Sequence, residues 1–322
     1  MLLDASLGFE TPLEQVPEIA RAVEAAGVAA LWTAETSHDP FLPLALAAEH
    51  TERLALGTAI AVAFTRSPVA LASTAWDLSR LSRGRFMLGL GSQVRAHVER
   101  RFGMPWSGRP VAQMREYVAV LRAAWAAWQQ AKRPSFRGEF YRFTLMSPFF
   151  DPGPIDHPAV PIYLAGVGPG MTRLAGEVAD GLIVHPLHSR AWLEDVVLPA
   201  VAEGARAEGR RVTIAGSVIL ATTDDGIAGA RRAIGFYAST PTYRPVLEHH
   251  GWGSVADELA GHARHARWDE MTSLVTDEML GTFAVVTERD PRAALERHCD
   301  GLIDRAAPYQ AFGSGPWSAL LA

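Results

Sequence analysis

Three stretches of this chain combine residue types that can do chemistry. Glu35, His38 and Asp39 fall within AETSHDPF, close enough together to pass a proton to or from a reacting bond. An imidazole suits that role because its ordinary pKa lies near neutrality. The same residues also read as a solvated loop ending in an Asp-Pro turn. The second stretch is Gly166-Val167-Gly168-Pro169-Gly170-Met171, which follows the apolar run Val160–Ala165. Backbone N–H groups and the dipole of a following helix can hold a phosphate in such a loop. It has neither a Walker lysine nor the last glycine of a dinucleotide fingerprint, so a tight turn explains it equally well. The third stretch, His185-Pro186-Leu187-His188-Ser189, closes another apolar run. His249, His250 and His262 match no metal-ligand spacing with a carboxylate partner, and no metal site is expected.

Alternating strands and helices must position these groups. Leu2–Leu7 and Val28–Thr33 read as strands, separated by a helix that runs to Ala26 and stops at Gly27. Leu54–Val62 is apolar almost throughout, as in a strand buried on both faces. Ser67-Pro68 opens a helix that Gly84 stops, and Arg85–Leu90 is the next strand. Pro110–Gln130 is a helix with Trp125 and Trp128 on its inner face. Val160–Ala165, Gly181–Val184, Val212–Thr222 and Gly301–Ala306 complete eight strands, with helices over Trp192–Ala207 and Asp290–Cys299. Eight alternations in one chain predict a (β/α)8 TIM barrel as a single domain over 1–322, with an open doubly wound sheet as runner-up. Two excursions interrupt the pattern, at about 133–158 and 225–280. The second, with Tyr237, Tyr243, His249, His250 and Trp252, reads as a lid or as helices on the barrel rim. In a closed barrel the chemistry belongs at the carboxyl ends of the strands, where all three stretches fall.

Bulk properties narrow the class. The chain of 322 residues is 48% hydrophobic and 20% charged, with net charge −5, which gives no reason to expect nucleic acid or an anionic membrane as partner. The single cysteine, Cys299, excludes an internal disulfide. Lys132 is the only lysine, so a phosphate site must rely on arginine, histidine or backbone. The first residues, MLLDASLGFE, show no signal-peptide pattern, and a cytoplasmic enzyme is expected.

Several motifs carry a resemblance across most of the chain. They are Leu56-Gly57-Thr58-Ala59-Ile60, Arg66-Ser67-Pro68-Val69, Leu78-Ser79-Arg80-Leu81-Ser82-Arg83-Gly84-Arg85-Phe86, Leu88-Gly89-Leu90-Gly91 and Pro161–Gly181. The chain resembles the bacterial luciferase-like superfamily, and most of all its coenzyme F420-dependent oxidoreductases. The resemblance implies hydride transfer between deazaflavin C5 and a small organic substrate. FMN-dependent monooxygenation and a non-catalytic flavin-binding barrel are the alternatives. It implies a cis peptide at Ala59–Ile60 within a Thr58-Ala59-Ile60 bulge against the cofactor ring. Gly91, Gln93, Ala165 and the loop Gly166–Met171 would also touch the cofactor. His185 and His188 fall where F420 enzymes often carry a hydroxyl residue and a lysine on the phosphate side. Glu35 and His38 take the acid/base role. Gln93 replaces a glutamate acid of some relatives and cannot donate a proton in that role. The first excursion is expected to help cover the site, the molecule to be a homodimer and the source actinobacterial.

Overall fold

The computed structural model describes residues 1–206 and 209–322. The expected helix over Trp192–Ala207 thus has its final residue outside the described range. Eight strands form a closed parallel barrel among the described residues: β1 in two halves (Leu2–Leu3 and Ala5–Ser6), β2 (Ala30–Thr33), β3 (Ala55–Thr58), β4 (Phe86–Gly91), β5 (Ile162–Gly166), β6 (Gly181–Val184), β7 (Thr213–Ala221) and β8 (Arg305–Pro308). β1 makes the closure. Its first half pairs with β8 (Leu3 opposite Ala306), and its second half pairs with β2 (Ser6 opposite Trp32). The outer layer comprises α1 (Val16–Ala25), α2 (Leu42–His50), α3 (Pro68–Leu81), α4 (Pro110–Gln129), α5 (Pro169–Val178), α6 (Leu198–Arg206), α7 (Pro291–Cys299) and α8 (Trp317–Leu321). Val16, Ala20 and Val23 of α1 are fully buried, as are Leu71, Ala75 and Trp76 of α3. Apolar stripes at helical spacing thus seal the barrel wall, each fully buried leucine or valine contributing about 1.5–3 kcal/mol. Trp125 and Trp128 belong to this core.

Two boundaries differ from the sequence reading, at the ends of β3 and β8. β3 stops at Thr58, the Ala59–Ile60 peptide is cis, and pairing resumes at Ala61–Val62 against Leu90 and Gly91. As Pro17 implies, the regular helix α1 begins late, at Val16 after a single 3-10 turn, Leu13–Gln15, so that the proline ring falls in its first turn. β8 starts at Arg305 rather than Gly301. Gly301 turns with φ 73°, and Leu302 and Ile303 both donate back to the Cys299 carbonyl, so this apolar run is the end of α7.

The first excursion folds down the outside of the barrel. Its hairpin, Phe136–Arg137 against Arg142–Phe143, is held by Glu116 of α4, whose carboxylate accepts from the N–H groups of Glu139, Phe140 and Tyr141. Trp76 of α3 donates to Gly153 O and Gln129 of α4 bonds Ile155. Only the hairpin tip approaches the rim, where Tyr141 meets Tyr117 edge-on. The expected cover for the site is thus largely a brace for α3 and α4. The second excursion is helical, Asp224–Ala238, Arg244–His249, Gly253–Arg264, Trp268–Ser273 and Asp277–Phe283, and it does lie on the rim, over β6 to β8. It ends in a short strand, Ala284–Val286, that pairs with β7.

Candidate active site at the barrel mouth

The lower lumen of the barrel is filled. Trp32, Met87, Tyr163 and Ala215 form a plug, with Trp32 and Tyr163 edge-on at 5.7 Å. Gly57 and Gly181 make room for it: a Cβ at Gly57 would lie 2.4 Å from the Trp32 ring, and one at Gly181 2.2 Å from the Tyr163 ring. Beneath the plug Asp4 accepts from Trp32 Nε1 (2.8 Å) and from Arg305 Nε and Nη2 (2.8 and 2.9 Å). Burial pushes the Asp4 carboxyl up, and Arg305 opposes that shift.

Above the plug the lumen opens. Side chains alternate across a strand, and the register carries inward positions upward to Ser6, Ala59, Ala165, Ile183 and Ser217. These residues are partly accessible although their strand neighbours Leu164, Leu182, Val184 and Val218 are buried. Small residues that keep access to solvent from within a strand line a hollow. It is floored by apolar groups and lies at the carboxyl ends of the strands.

Two backbone features shape one side of the hollow. The Thr58–Ile60 segment crosses over β4 so closely that a Cβ at Gly89 would sit 1.8 Å from Thr58 O, and one at Gly91 2.8 Å from Ile60 Cδ1. Thr58 Oγ1 donates to Gly89 O (2.7 Å) and accepts from Gly89 N (2.9 Å). Gly91 therefore seats Ile60. Gln93 sits at the rim with φ 59°, its Oε1 accepting from Val94 N at 2.9 Å.

The acid/base residues expected from sequence separate. The Glu35 carboxylate accepts from Val62 N (2.7 Å) and Arg66 Nη1 (2.6 Å), while Glu35 N donates to Ile60 O (3.0 Å). Asp39 Oδ1 accepts from Phe41 N (2.8 Å) and Leu42 N (3.1 Å) at the entry to α2, and Asp39 reaches Arg66 Nη2 at 3.4 Å. Glu35 and Asp39 thus tie the loop after β2 to the loop after β3. His38 is exposed on the outer lip. The missing partner, Arg66, was visible in the sequence as a cation just past the end of the neighbouring strand.

On the far side, Ala165 and Gly166 lead through Val167 and Gly168 into α5. Pro169 occupies its first turn, where its missing N–H costs nothing. Gly168 O accepts from both N and Oγ1 of Thr172 (3.2 and 3.1 Å). The first-turn N–H groups of Gly170 and Met171 have no carbonyl one turn back, as at any helix start. His185 does not offer a cation beside them. Its ring stacks on Tyr243 (4.1 Å, 23°) and meets Tyr237 edge-on (4.6 Å), and burial followed by the neighbouring His188 pushes its pKa down to about 3. His185 Nδ1 accepts from Leu187 N, which places the proton of the neutral ring on Nε2. His188 is buried outside the lumen. It bonds His185 O through Nδ1 (2.7 Å) and faces His298 of α7 at 5.9 Å. Neither histidine thus supplies a cation on the phosphate side, where the resemblance sets them in place of a hydroxyl residue and a lysine. Tyr309, one residue past β8, completes this wall, its hydroxyl 3.0 Å from that of Tyr237. The sequence reading missed Tyr309 because it ended β8 too early.

This fold and site can be set beside known proteins. The family model described as luciferase-like monooxygenase matches residues 3–302. The chain belongs to that family. An uncharacterized protein of Mycobacterium tuberculosis, Rv1360, is 47% identical over 316 residues, covering 95% of this chain and 92% of its own. The F420-dependent glucose-6-phosphate dehydrogenase of Intrasporangium calvum is 31% identical, covering 74% of this chain and 72% of its own. Among solved structures, the coenzyme F420-dependent tetrahydromethanopterin reductase of Methanopyrus kandleri aligns with TM-score 0.78 at 20% identity, covering 95% and 92% of the two chains. The FMN-bound oxygenating constituent of 3,6-diketocamphane monooxygenase from Pseudomonas putida aligns with TM-score 0.66 at 17% identity, covering 97% and 92%. The fold is thus the luciferase-like TIM barrel, and the chain is related to oxidoreductases and monooxygenases. No helix among the described residues is long and apolar enough to cross a membrane.

Proposed function

We propose that this protein is an F420-dependent oxidoreductase that moves a hydride between deazaflavin C5 and a small organic substrate. The observation that carries the reading is the open hollow of small residues, Ser6, Ala59, Ala165 and Ser217, above an aromatic plug and beside the start of α5. A broad planar ring fits such a lining because, apart from Ile183, the inward positions there carry small side chains. Bound there, the deazaflavin would supply the two-electron hydride chemistry at C5. Thr58, Ala59 and Ile60 would press on the ring, and Gly168, Gly170 and Met171 would present backbone to the phosphate.

The phosphate seat also favours F420 over FMN. The phosphate of F420 is a diester with one charge, whereas the terminal phosphate of FMN approaches two. Helix N–H groups beside a histidine that is held neutral suit the smaller charge. Membership of a family with FMN-dependent monooxygenases keeps that cofactor as the competing reading. The same proposal has the enzyme acting in the cytoplasm as a homodimer of actinobacterial origin. Its 47% identity to a mycobacterial protein supports the actinobacterial origin.

Titration of the purified protein with oxidised F420 and, separately, FMN tests the reading through ligand fluorescence. Saturable F420 binding without FMN binding is the expected result. FMN binding alone would transfer the protein to the monooxygenases, and binding of neither would overturn the cofactor assignment.

A further inference from the structure

The wall over β6 to β8 differs chemically from the rest of the hollow. His185, Tyr237, Tyr243 and Tyr309 stand together on it, each partly accessible, and their mutual contacts are ring to ring. A relative that takes glucose 6-phosphate must satisfy a dianion. Here the cations nearest this wall in sequence are engaged elsewhere. Arg190 binds Arg297 O, His298 O and Glu194. Arg244 binds Asp257 and Glu248, Arg231 binds Asp277, and Arg305 is locked to Asp4 below the plug. Arg232 lies five residues before Tyr237, about 140° round the helix from it. The chain's one lysine, Lys132, is beyond the far end of α4.

What the wall offers is π surface and one spare proton. The Tyr237 and Tyr309 hydroxyls are 3.0 Å apart, so one donates to the other and the second O–H is free for a ligand oxygen. We infer that this wall is the substrate side of the site and that it selects an uncharged aromatic compound bearing a carbonyl or hydroxyl oxygen. The ring of the substrate stacks against the Tyr243–His185 pair and its oxygen accepts from the Tyr237–Tyr309 pair. A phosphorylated substrate is disfavoured because burying its charge here would leave it without a counter-charge. This inference rests on the F420 reading above and adds the substrate class to it.

The test uses the full chain loaded with oxidised F420 and reads binding by calorimetry, with 2-acetylnaphthalene, naphthalene, glucose 6-phosphate and inorganic phosphate as probes. F420 affinity is measured first in every variant. Its failure in the unmodified protein would strike the cofactor reading, whereas its persistence isolates the substrate wall. The expected result is saturable binding of 2-acetylnaphthalene, weakened about tenfold by Tyr243→Ala through lost stacking. Tyr237→Phe combined with Tyr309→Phe, which keeps both rings and removes both hydroxyls, should weaken 2-acetylnaphthalene about fivefold through the lost donor and leave naphthalene unchanged. Neither phosphate should bind at millimolar concentration. Saturable glucose 6-phosphate binding, equal binding of 2-acetylnaphthalene by all variants, or no binding of it to the F420-loaded protein would each overturn the inference.

Discussion

Glu35 shows how a residue of the right type can be committed to another task. Its carboxylate takes both Val62 N–H and the Arg66 guanidinium, and those two bonds hold the loop after β3 against the loop after β2. Removing it leaves the Val62 N–H without a partner and the Arg66 guanidinium with only its longer bonds to Asp39, Val62 O and Thr65 Oγ1, which costs about 1–3 kcal/mol. Glu35→Ala should therefore lower the urea midpoint and weaken F420 binding together. If it instead leaves both unchanged and only alters the pH profile of turnover, Glu35 is the acid that its sequence position suggested. The glycines of β3 and β4 make a second residue-scale prediction. Gly57→Ala pushes a Cβ to 2.4 Å from the Trp32 ring, which can shift, whereas Gly89→Ala meets the Thr58 carbonyl at 1.8 Å, which is fixed backbone. Overpacking of the first kind costs about 1–3 kcal/mol, and Gly89→Ala should exceed it in urea unfolding. Motif spelling placed these glycines correctly in the sequence. It could not show that Gly91 serves Ile60, because that contact depends on how far one strand leans over the next.

At the scale of elements, the strand–helix alternation was legible because strands buried on both faces are continuous apolar runs and their helices carry stripes. The departures fall where a local rule was outvoted. β8 begins with Arg305, a charge that reads as loop until its partner Asp4, on a strand at the other end of the chain, is known. The resemblance makes the first excursion part of the cover over the site, but Trp76, Glu116 and Gln129 pin it to the helices. The burial of His185 against the second excursion and of His298 against His188 has a measurable pH signature. Burial, with His188 as the next cause, holds His185 down at about 3, and burial followed by His188 and Arg190 holds His298 down at about 4. Both lie below the ordinary value of 6.5, so the unfolded chain binds more protons than the folded one between these limits. Stability is fully present above about pH 6.5 and falls as pH drops, by up to about 1.4 kcal/mol per pH unit for each histidine. Urea midpoints measured from pH 7 to pH 5 should decline, and His185→Phe should flatten the slope. An unchanged slope in that variant would mean that the ring is already solvated.

For the whole molecule, closure of the barrel joins the first strand to the last through Asp4 and Arg305. The pair sits under the plug, with Asp4 1% exposed, and Trp32 adds a third bond from β2. A barrel could be sealed at this point by apolar side chains. A buried ion pair gains little over such packing, yet losing one partner strands a charge. Arg305→Met should therefore cost about 3–5 kcal/mol, because Asp4 remains buried with only the indole N–H to bond it. Asp4→Leu combined with Arg305→Met removes both charges and should recover much of that loss, leaving the unpaired Trp32 N–H as the residual penalty. The comparison separates two roles. If the double variant regains stability and still binds F420, the pair acts by fixing which strands meet, and the hollow above depends only on the barrel being closed. If stability returns but F420 binding does not, the ion pair also sets the tilt of Trp32 and so the height of the floor on which the cofactor ring would rest.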